Sequence, residues 1–363
     1  MGVLRFAVLG AGHGGMAMAG HLGLLGFPVR LFNRGAERLS PIKLAGRIEV
    51  FGAVEGSGYI ELVTADIGEA IAEADVVMVV VPANAHRYMA TIMSPHLRNG
   101  QVVILNPGRT GGALEVLQVF KEQGMDKDVL IGEAQTLLYA CRNTNPAQVR
   151  IFGIKNSVPL AALPGNQTVD LLKIIQPAFP QFVPGDNVIK TGLDNIGAVF
   201  HPALMVLNAA RIESTRGEFQ FYFEGITKAV SQVLEQIDNE RVAVAAALGI
   251  KAMTAREWLY MAYDAHGKTL YNAIRNNSGY KGIMAPATVD HRYLWEDVPM
   301  SLVPIASLGD LLSVATPTIK HIIHLAGLMN GCDYWAEGRT VTQMGLTGRN
   351  HKEIRYIALE GFR

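Results

Sequence analysis

The chain reads as an α/β protein, a doubly wound parallel sheet in its first half followed by an all-helical second half. Three observations predict this: a short apolar run ending in a glycine cluster at the N-terminus, further apolar runs alternating with helical stretches to about residue 132, and long helical periodicities after about residue 190. At 363 residues there is chain enough for two domains with well-buried cores. We place them at 1–190 and 191–363.

The first run, Leu4 to Leu9, has the continuous apolar character of a strand buried on both faces. It ends in Gly10-Ala11-Gly12-His13-Gly14-Gly15, followed by an apolar helical pattern. This is GxGxxG between strand and helix, the fingerprint of a Rossmann dinucleotide site. Gly10 permits the tight turn, Gly12 lets backbone approach a pyrophosphate, and Gly15 lets helix pack close to strand. The helix N-terminus, with His13 and Gly14 in its first turn, offers amide hydrogens to phosphate. A glycine-rich turn without a ligand is the plainer alternative. A secretory h-region or membrane span over Val3 to Phe27 is disfavoured by seven glycines between Gly10 and Gly26, together with His13 and His21.

A second strand, Val29 to Asn33, follows at the distance the fingerprint demands. Where an NAD-preferring protein places a carboxylate for the ribose 2′-hydroxyl, this chain has Asn33-Arg34, with Arg38 one turn further on. Asn33 can bond a ribose without repelling a phosphate, and Arg34 can pair with a 2′-phosphate as a fork. NADP(H) is the expected cofactor and NAD(H) the second choice; solvated surface arginines are the alternative. Further strands are expected at Asp75 to Val81, Gln101 to Leu105 and Val129 to Gly132. Ligands of open α/β sheets bind at carboxyl ends of strands, so Pro82, Ala83, Asn84 and the loop Asn106 to Gly112 are expected to border a nicotinamide. Proline and glycine merely ending strands would look the same.

Short β-like runs at Ile151 to Lys155 and Val158 to Leu163 and a helix from about Val169 to Phe179 complete the first half. In the second, Ile226, Val230, Val233 and Ile237 keep helical spacing, and Thr254-Ala255-Arg256-Glu257 is a capping box. His201 stands alone in the apolar helical segment Leu193 to Arg211. From composition such a histidine is a hydrogen-bonded core residue as readily as a proton carrier.

Charge and cysteine usage narrow the function. Lys plus Arg and Asp plus Glu are 32 each and no basic tract occurs, which argues against nucleic acid. Two cysteines, Cys141 and Cys332, without a CxxC pair or a histidine cluster, argue against a disulfide framework and against zinc. A cytoplasmic location is expected, with no membrane contact. Charged residues at only 18% leave room for a homodimer face.

Taken together, GAGHGG, the loops VPA and LNPGxTGGALE, the segment Asn195-x5-His201-Pro202-x5-Asn208-Ala209-Ala210-Arg211, and Arg292-Tyr293-x-x-Glu296-Asp297-Val298 resemble the octopine/nopaline dehydrogenase superfamily over nearly the whole chain. The likeness is strongest to bacterial opine dehydrogenases of the N-(1-carboxyethyl)norvaline type. The resemblance implies a Rossmann domain with a helical substrate domain. The implied reaction is reductive condensation of an α-keto acid such as pyruvate with the amino group of an amino acid, and its reversal. It implies His201 as general acid/base and Asp297 as its orienting partner, because proton shuttling near neutral pH suits an imidazole whose other nitrogen is held by a carboxylate. It implies Arg292 as the grip on a substrate carboxylate. Thr136 is a further candidate for the keto-acid pocket. A structural ion pair of Arg292 with Asp297 is the alternative. Asn33-Arg34 departs from the bacterial pattern, which is acidic there.

Two rival readings remain. Phe152-Gly153-Ile154-Lys155-Asn156 offers the GxKN piece of 3-hydroxyacid or glycerol-3-phosphate dehydrogenases, although Lys155 falls in a β-like run. A protein that senses NADP(H) without turnover would need neither His201, Arg292 nor Asp297.

Overall fold

The computed structural model describes residues 2–361. The chain clusters into two compact units, Met1–Gly192 with Tyr356–Arg363, and Leu193–Arg355.

Among its described residues the first unit carries twelve strands: β1 (Phe6–Leu9), β2 (Val29–Phe32), β3 (Arg47–Gly52), β4 (Gly56–Tyr59), β5 (Leu62–Thr64), β6 (Val76–Val79), β7 (Val102–Leu105), β8 (Leu130–Ala134), β9 (Tyr139–Asn145), β10 (Gln148–Ile154), β11 (Val158–Leu163) and β12 (Phe182–Pro184). The main sheet has the order β12-β11-β8-β7-β6-β1-β2-β5. β1, β6 and β7 are buried at every residue, as strands covered by helices on both faces must be. Parallel pairing runs from β5 through β8, with Phe6 opposite Val29 on one side and Val76 on the other. The space order β5-β2-β1-β6-β7-β8 is the doubly wound arrangement, and the order reverses at β1. The far edge departs from a purely parallel sheet, because β11 pairs antiparallel with β8 before β12 returns parallel to β11.

A second, four-stranded sheet, β4-β3-β10-β9, lies apart from the alternation expected from the sequence. Its strands alternate buried and exposed residues, so one face is covered. The cover is the helix His13–Leu24, where a Cβ on Gly20 would come within 2.8 Å of Val50 and one on Gly58 within 2.0 Å of the Gly20 carbonyl. Helix and strand thus touch backbone to backbone, which explains glycines beyond those of the nucleotide fingerprint.

Among its described residues the second unit is helical apart from one bridge, Gln220 to Met284. Its longest helix, Lys228–Ala247, starts on the Thr227 cap, and Thr254 with Glu257 forms the expected reciprocal capping box ahead of Ala255–Tyr263. The helix Gly197–Leu207 is so apolar that Val199, Phe200, Ala203, Leu204 and Met205 are all buried. It packs against Lys228–Ala247, Pro317–Asn330, Arg292–Trp295 and the turn Val298–Leu302. A buried side chain of that kind contributes roughly 1.5–3 kcal/mol, so this central helix is held firmly. The fully buried Arg241 is satisfied by Asp238 at 2.6 Å and by the carbonyls of Leu193 and Met253. No helix among the described residues is long and apolar enough to cross a membrane.

Candidate active site

In the first unit, chemistry concentrates where β1 ends. Gly10 has φ +116°, and a Cβ there would lie 2.5 Å from the Val80 carbonyl; a Cβ on Gly15 would lie 1.7 Å from the Gly10 carbonyl. Both glycines are demanded by the protein itself. Gly12 is not: a Cβ there would meet nothing within 4 Å. Open space over a glycine that packing does not require is what backbone approach by a pyrophosphate needs. The helix that follows has no side-chain cap and no acidic residue in its first turn, so its amide end is available to an anion. These residues fit a dinucleotide.

His13 and Gly14 open that helix; His13 Nδ1 accepts from the Asn143 amide at 3.0 Å, which ties the turn to β9. Asn33 Oδ1 accepts from the Ala11 amide at 3.1 Å and its Nδ2 donates to the Gly35 carbonyl at 3.1 Å. Asn33 therefore braces the glycine turn, leaving one amide hydrogen over. Arg34 and Arg38 are exposed and form no ion pair among the described residues, Arg34 lying 5.8 Å over the Tyr88 ring. Pro82 and Ala83 follow β6, the first exposed and the second buried.

Thr136 follows β8 and accepts from the Lys155 ammonium at 3.4 Å, while Lys155 also donates to the Leu137 carbonyl at 2.5 Å. Burial of the ammonium end brings Lys155 down to about 8; the neighbouring Cys141 opposes this shift and Arg109 adds to it. The Cys141 thiol is itself pushed up to about 11 by burial, which keeps it protonated and unreactive. The sequence reading set Lys155 aside as a residue of a β-like run, and it does stand just past β10.

In the second unit His201 and Asp297, 96 residues apart, meet: Nδ1 lies 2.8 Å from Asp297 Oδ2. Asp297 is fully buried and His201 is 19% exposed, with no partner on Nε2 among the described residues. A buried carboxylate on Nδ1 fixes the tautomer and leaves Nε2 to exchange a proton. Asp297 stands immediately before a π turn, Val298–Leu302, and the Asn195 amide donates to Ser301 Oγ of that turn at 2.8 Å. π turns re-aim neighbouring side chains and recur at functional sites.

Arg292 Nε and Nη2 both bond Glu296 Oε2, the former at 2.8 Å. Its structural partner is thus Glu296, one helical turn on, and not Asp297. The Nη1 side of the guanidinium has no partner among the described residues, in a side chain 47% exposed. Sequence reasoning assigned nothing to Tyr293, yet its ring stacks on His201 with centroids 3.9 Å apart and planes 16° apart. Its place between Arg292 and Asp297 in one motif was the available signal.

The helical-domain family of NAD/NADP octopine/nopaline dehydrogenases matches residues 184–330, and the N-terminal family of NAD-dependent glycerol-3-phosphate dehydrogenases matches residues 5–128. An opine dehydrogenase of Arthrobacter sp. (strain 1C) is 39% identical over 351 residues, 96% of this chain and 97% of the relative. Among solved structures, octopine dehydrogenase with NADH and L-arginine superposes with a TM-score of 0.84 at 23% identity, covering 99% of each chain. Yersinopine dehydrogenase with NADP+ bound gives 0.75 at 15% identity over 99% and 98%. The chain belongs to the opine dehydrogenase family and is an NAD(P)-dependent oxidoreductase acting on CH–NH bonds.

Proposed function

We propose that the protein joins an α-keto acid such as pyruvate to the amino group of an amino acid and reduces the product, with His201 as general acid/base, Asp297 as its orienting partner and Arg292 as the grip on a substrate carboxylate. Keto acid, amino acid, NADPH and a proton give the secondary amine, water and NADP+. The observation that carries this is the 2.8 Å bond of His201 Nδ1 to buried Asp297, with Nε2 left free to act.

Attack of the amine on the keto carbon gives a carbinolamine, and loss of water gives an imine. Both changes need a proton moved at oxygen or nitrogen, and Nε2 is the atom that moves it. Asp297 holds Nδ1, which fixes the ring and leaves Nε2 as the exchanging atom. Arg292 turns its uncommitted Nη1 edge to a carboxylate, while Glu296 holds the rest of the guanidinium still. When bound at the Gly10 to Gly15 turn, the nicotinamide cofactor supplies hydride. Thr136, fixed by Lys155, is assigned to the keto-acid pocket.

NADP(H) is the preferred cofactor on this reading. Support comes from two unpaired guanidinium groups, Arg34 and Arg38, beyond β2 where a carboxylate would otherwise repel a 2′-phosphate. The test is oxidation of NADPH and NADH with keto acids, in the presence and absence of amino acids. Turnover that requires the amine and runs faster with NADPH is expected. Turnover of the keto acid or of a phosphate ester alone, or binding without turnover, would replace this reading with one of its rivals.

A further inference from the structure

We infer that Tyr293 is a positioning residue, whose ring sets the plane of the His201 imidazole and so the direction in which Nε2 presents its proton. This rests on the proposed role of His201.

A single hydrogen bond from Nδ1 to Asp297 fixes one point of the imidazole but not its plane, since the ring can still turn about the line of that bond. The helix Gly197–Leu207 does not supply the missing restraint. Pro202 follows His201 directly and lacks the amide that would tie that turn to the one before, so the helix is least braced where the imidazole leaves it. Tyr293 supplies the restraint from the other side. Its ring lies against one face of the imidazole at 3.9 Å and 16°. Tyr293 is fixed in turn from two directions: Phe221 lies nearly parallel to it at 5.7 Å and 17° and itself meets Tyr222 edge-on at 5.4 Å, and His291 meets the Tyr293 ring edge-on at 4.5 Å and 79°. Tyr222 is itself buried and stacked on Tyr280 at 4.1 Å. His201 therefore closes a three-ring stack, Phe221–Tyr293–His201, whose far members cannot shift without disturbing the core.

The backbone makes the placement specific. Tyr293 lies in the one-turn helix Arg292–Trp295 that leads into Asp297, and the His291 imidazole accepts from the Tyr293 amide at 3.3 Å to start that turn. The residue that fixes the ring plane and the residue that holds Nδ1 therefore come from one short segment.

The test compares Tyr293→Leu with Tyr293→Phe in the full chain. Loss of the ring should lower kcat ten- to a hundredfold, the order that misaiming a reacting group by about 1 Å produces. KM for both substrates should change less than about threefold, and the solvent deuterium isotope effect on kcat should rise as the proton step becomes limiting. Tyr293→Phe keeps the ring and should stay within about threefold of the parent, which separates aim from hydroxyl chemistry. A second measurement does not depend on turnover. The low-field proton resonance of the His201–Asp297 bond, assigned by its loss in Asp297→Asn, should persist in Tyr293→Phe and vanish by exchange in Tyr293→Leu. An unchanged resonance and kcat in a folded Tyr293→Leu protein, or equal losses in Leu and Phe variants, would overturn the assignment. Should the parent show no amine-dependent turnover, the reading of the reaction fails, and the resonance alone still decides whether Tyr293 holds the imidazole.

Discussion

The glycine turn after β1 and the segment from Arg292 to Leu302, with the His201 it holds, work in opposite ways. The first acts through side chains that are missing: Gly10 and Gly15 because the protein's own backbone fills the space, Gly12 because nothing does. The second acts through side chains held by other side chains: His201 by Asp297 and Tyr293, Arg292 by Glu296. A site built from backbone tolerates no added atom, whereas a site built from side chains tolerates exchange of any group whose contacts are kept. Substitutions should therefore fail abruptly in the first and by degrees in the second.

The largest effect is expected within the turn itself. Gly15→Ala places a methyl 1.7 Å from a carbonyl oxygen and should destabilise the first unit by about 4 kcal/mol or more, seen as a collapse of the melting transition. Gly12→Ala meets no protein atom, so its melting temperature should be unchanged while nucleotide affinity, read by NADPH fluorescence, falls about tenfold or more. Equal melting temperatures for the two variants would erase the contrast. Next comes His201→Ala, in which kcat should fall about 10²- to 10⁴-fold with NADPH affinity unchanged; a parallel loss of nucleotide affinity would mean that the imidazole does more than move a proton. Arg34→Ala should weaken NADPH about tenfold, the order for one charge-assisted contact, and leave NADH where it was. A matching loss for both nucleotides would reduce Arg34 to a general electrostatic role.

The smallest effect belongs to Lys155, where the sign follows from linkage. Its folded value of about 8 lies below the usual lysine value of 10.5, so between these the unfolded chain binds more protons and the stability contribution of this group rises with pH. Lys155→Met should stabilise the protein slightly at pH 7, with the gain shrinking as pH climbs from about 8 to 10.5. A gain that does not change across that window would show that the ammonium is not desolvated. Solvent access to the lysine stem keeps the effect small.

What could be read from the chain follows from the same contrast. β1, β6 and β7 are legible because burial on both faces forces unbroken apolar runs, and the glycine spacing is legible because Gly10 and Gly15 answer local steric demands and Gly12 keeps the space above the turn open. The second sheet is not. β4 reads Gly-Ser-Gly-Tyr and β9 ends Arg-Asn-Thr-Asn, half-exposed strands whose pairing with β3 and β10 is a tertiary matter. No spacing rule brings His201 to Asp297 across 96 residues; only the likeness of whole motifs suggested the pair. Arg292 with Glu296 was open to a simple rule, since residues four apart face each other on a helix and residues five apart do not. Tyr293 was hidden because nothing in its spacing shows that its ring meets the imidazole of a residue 92 positions earlier.

The π turn after Asp297 is a length measurement written into the backbone. A π turn holds one residue more than the α turn it replaces, so Arg292–Trp295 and Val303–Leu311 are offset by about 100° from the phase of one continuous helix. Removing a single residue between Val298 and Leu302 would let the two fuse, and the regained register would swing Asp297 round the axis by that same angle. Neither His201 nor Asp297 would have been mutated, yet the carboxylate would face a different neighbour. A gap of one at that place in an aligned relative would then mark a chain that has kept both residues and lost the contact on which the proposed proton transfer rests.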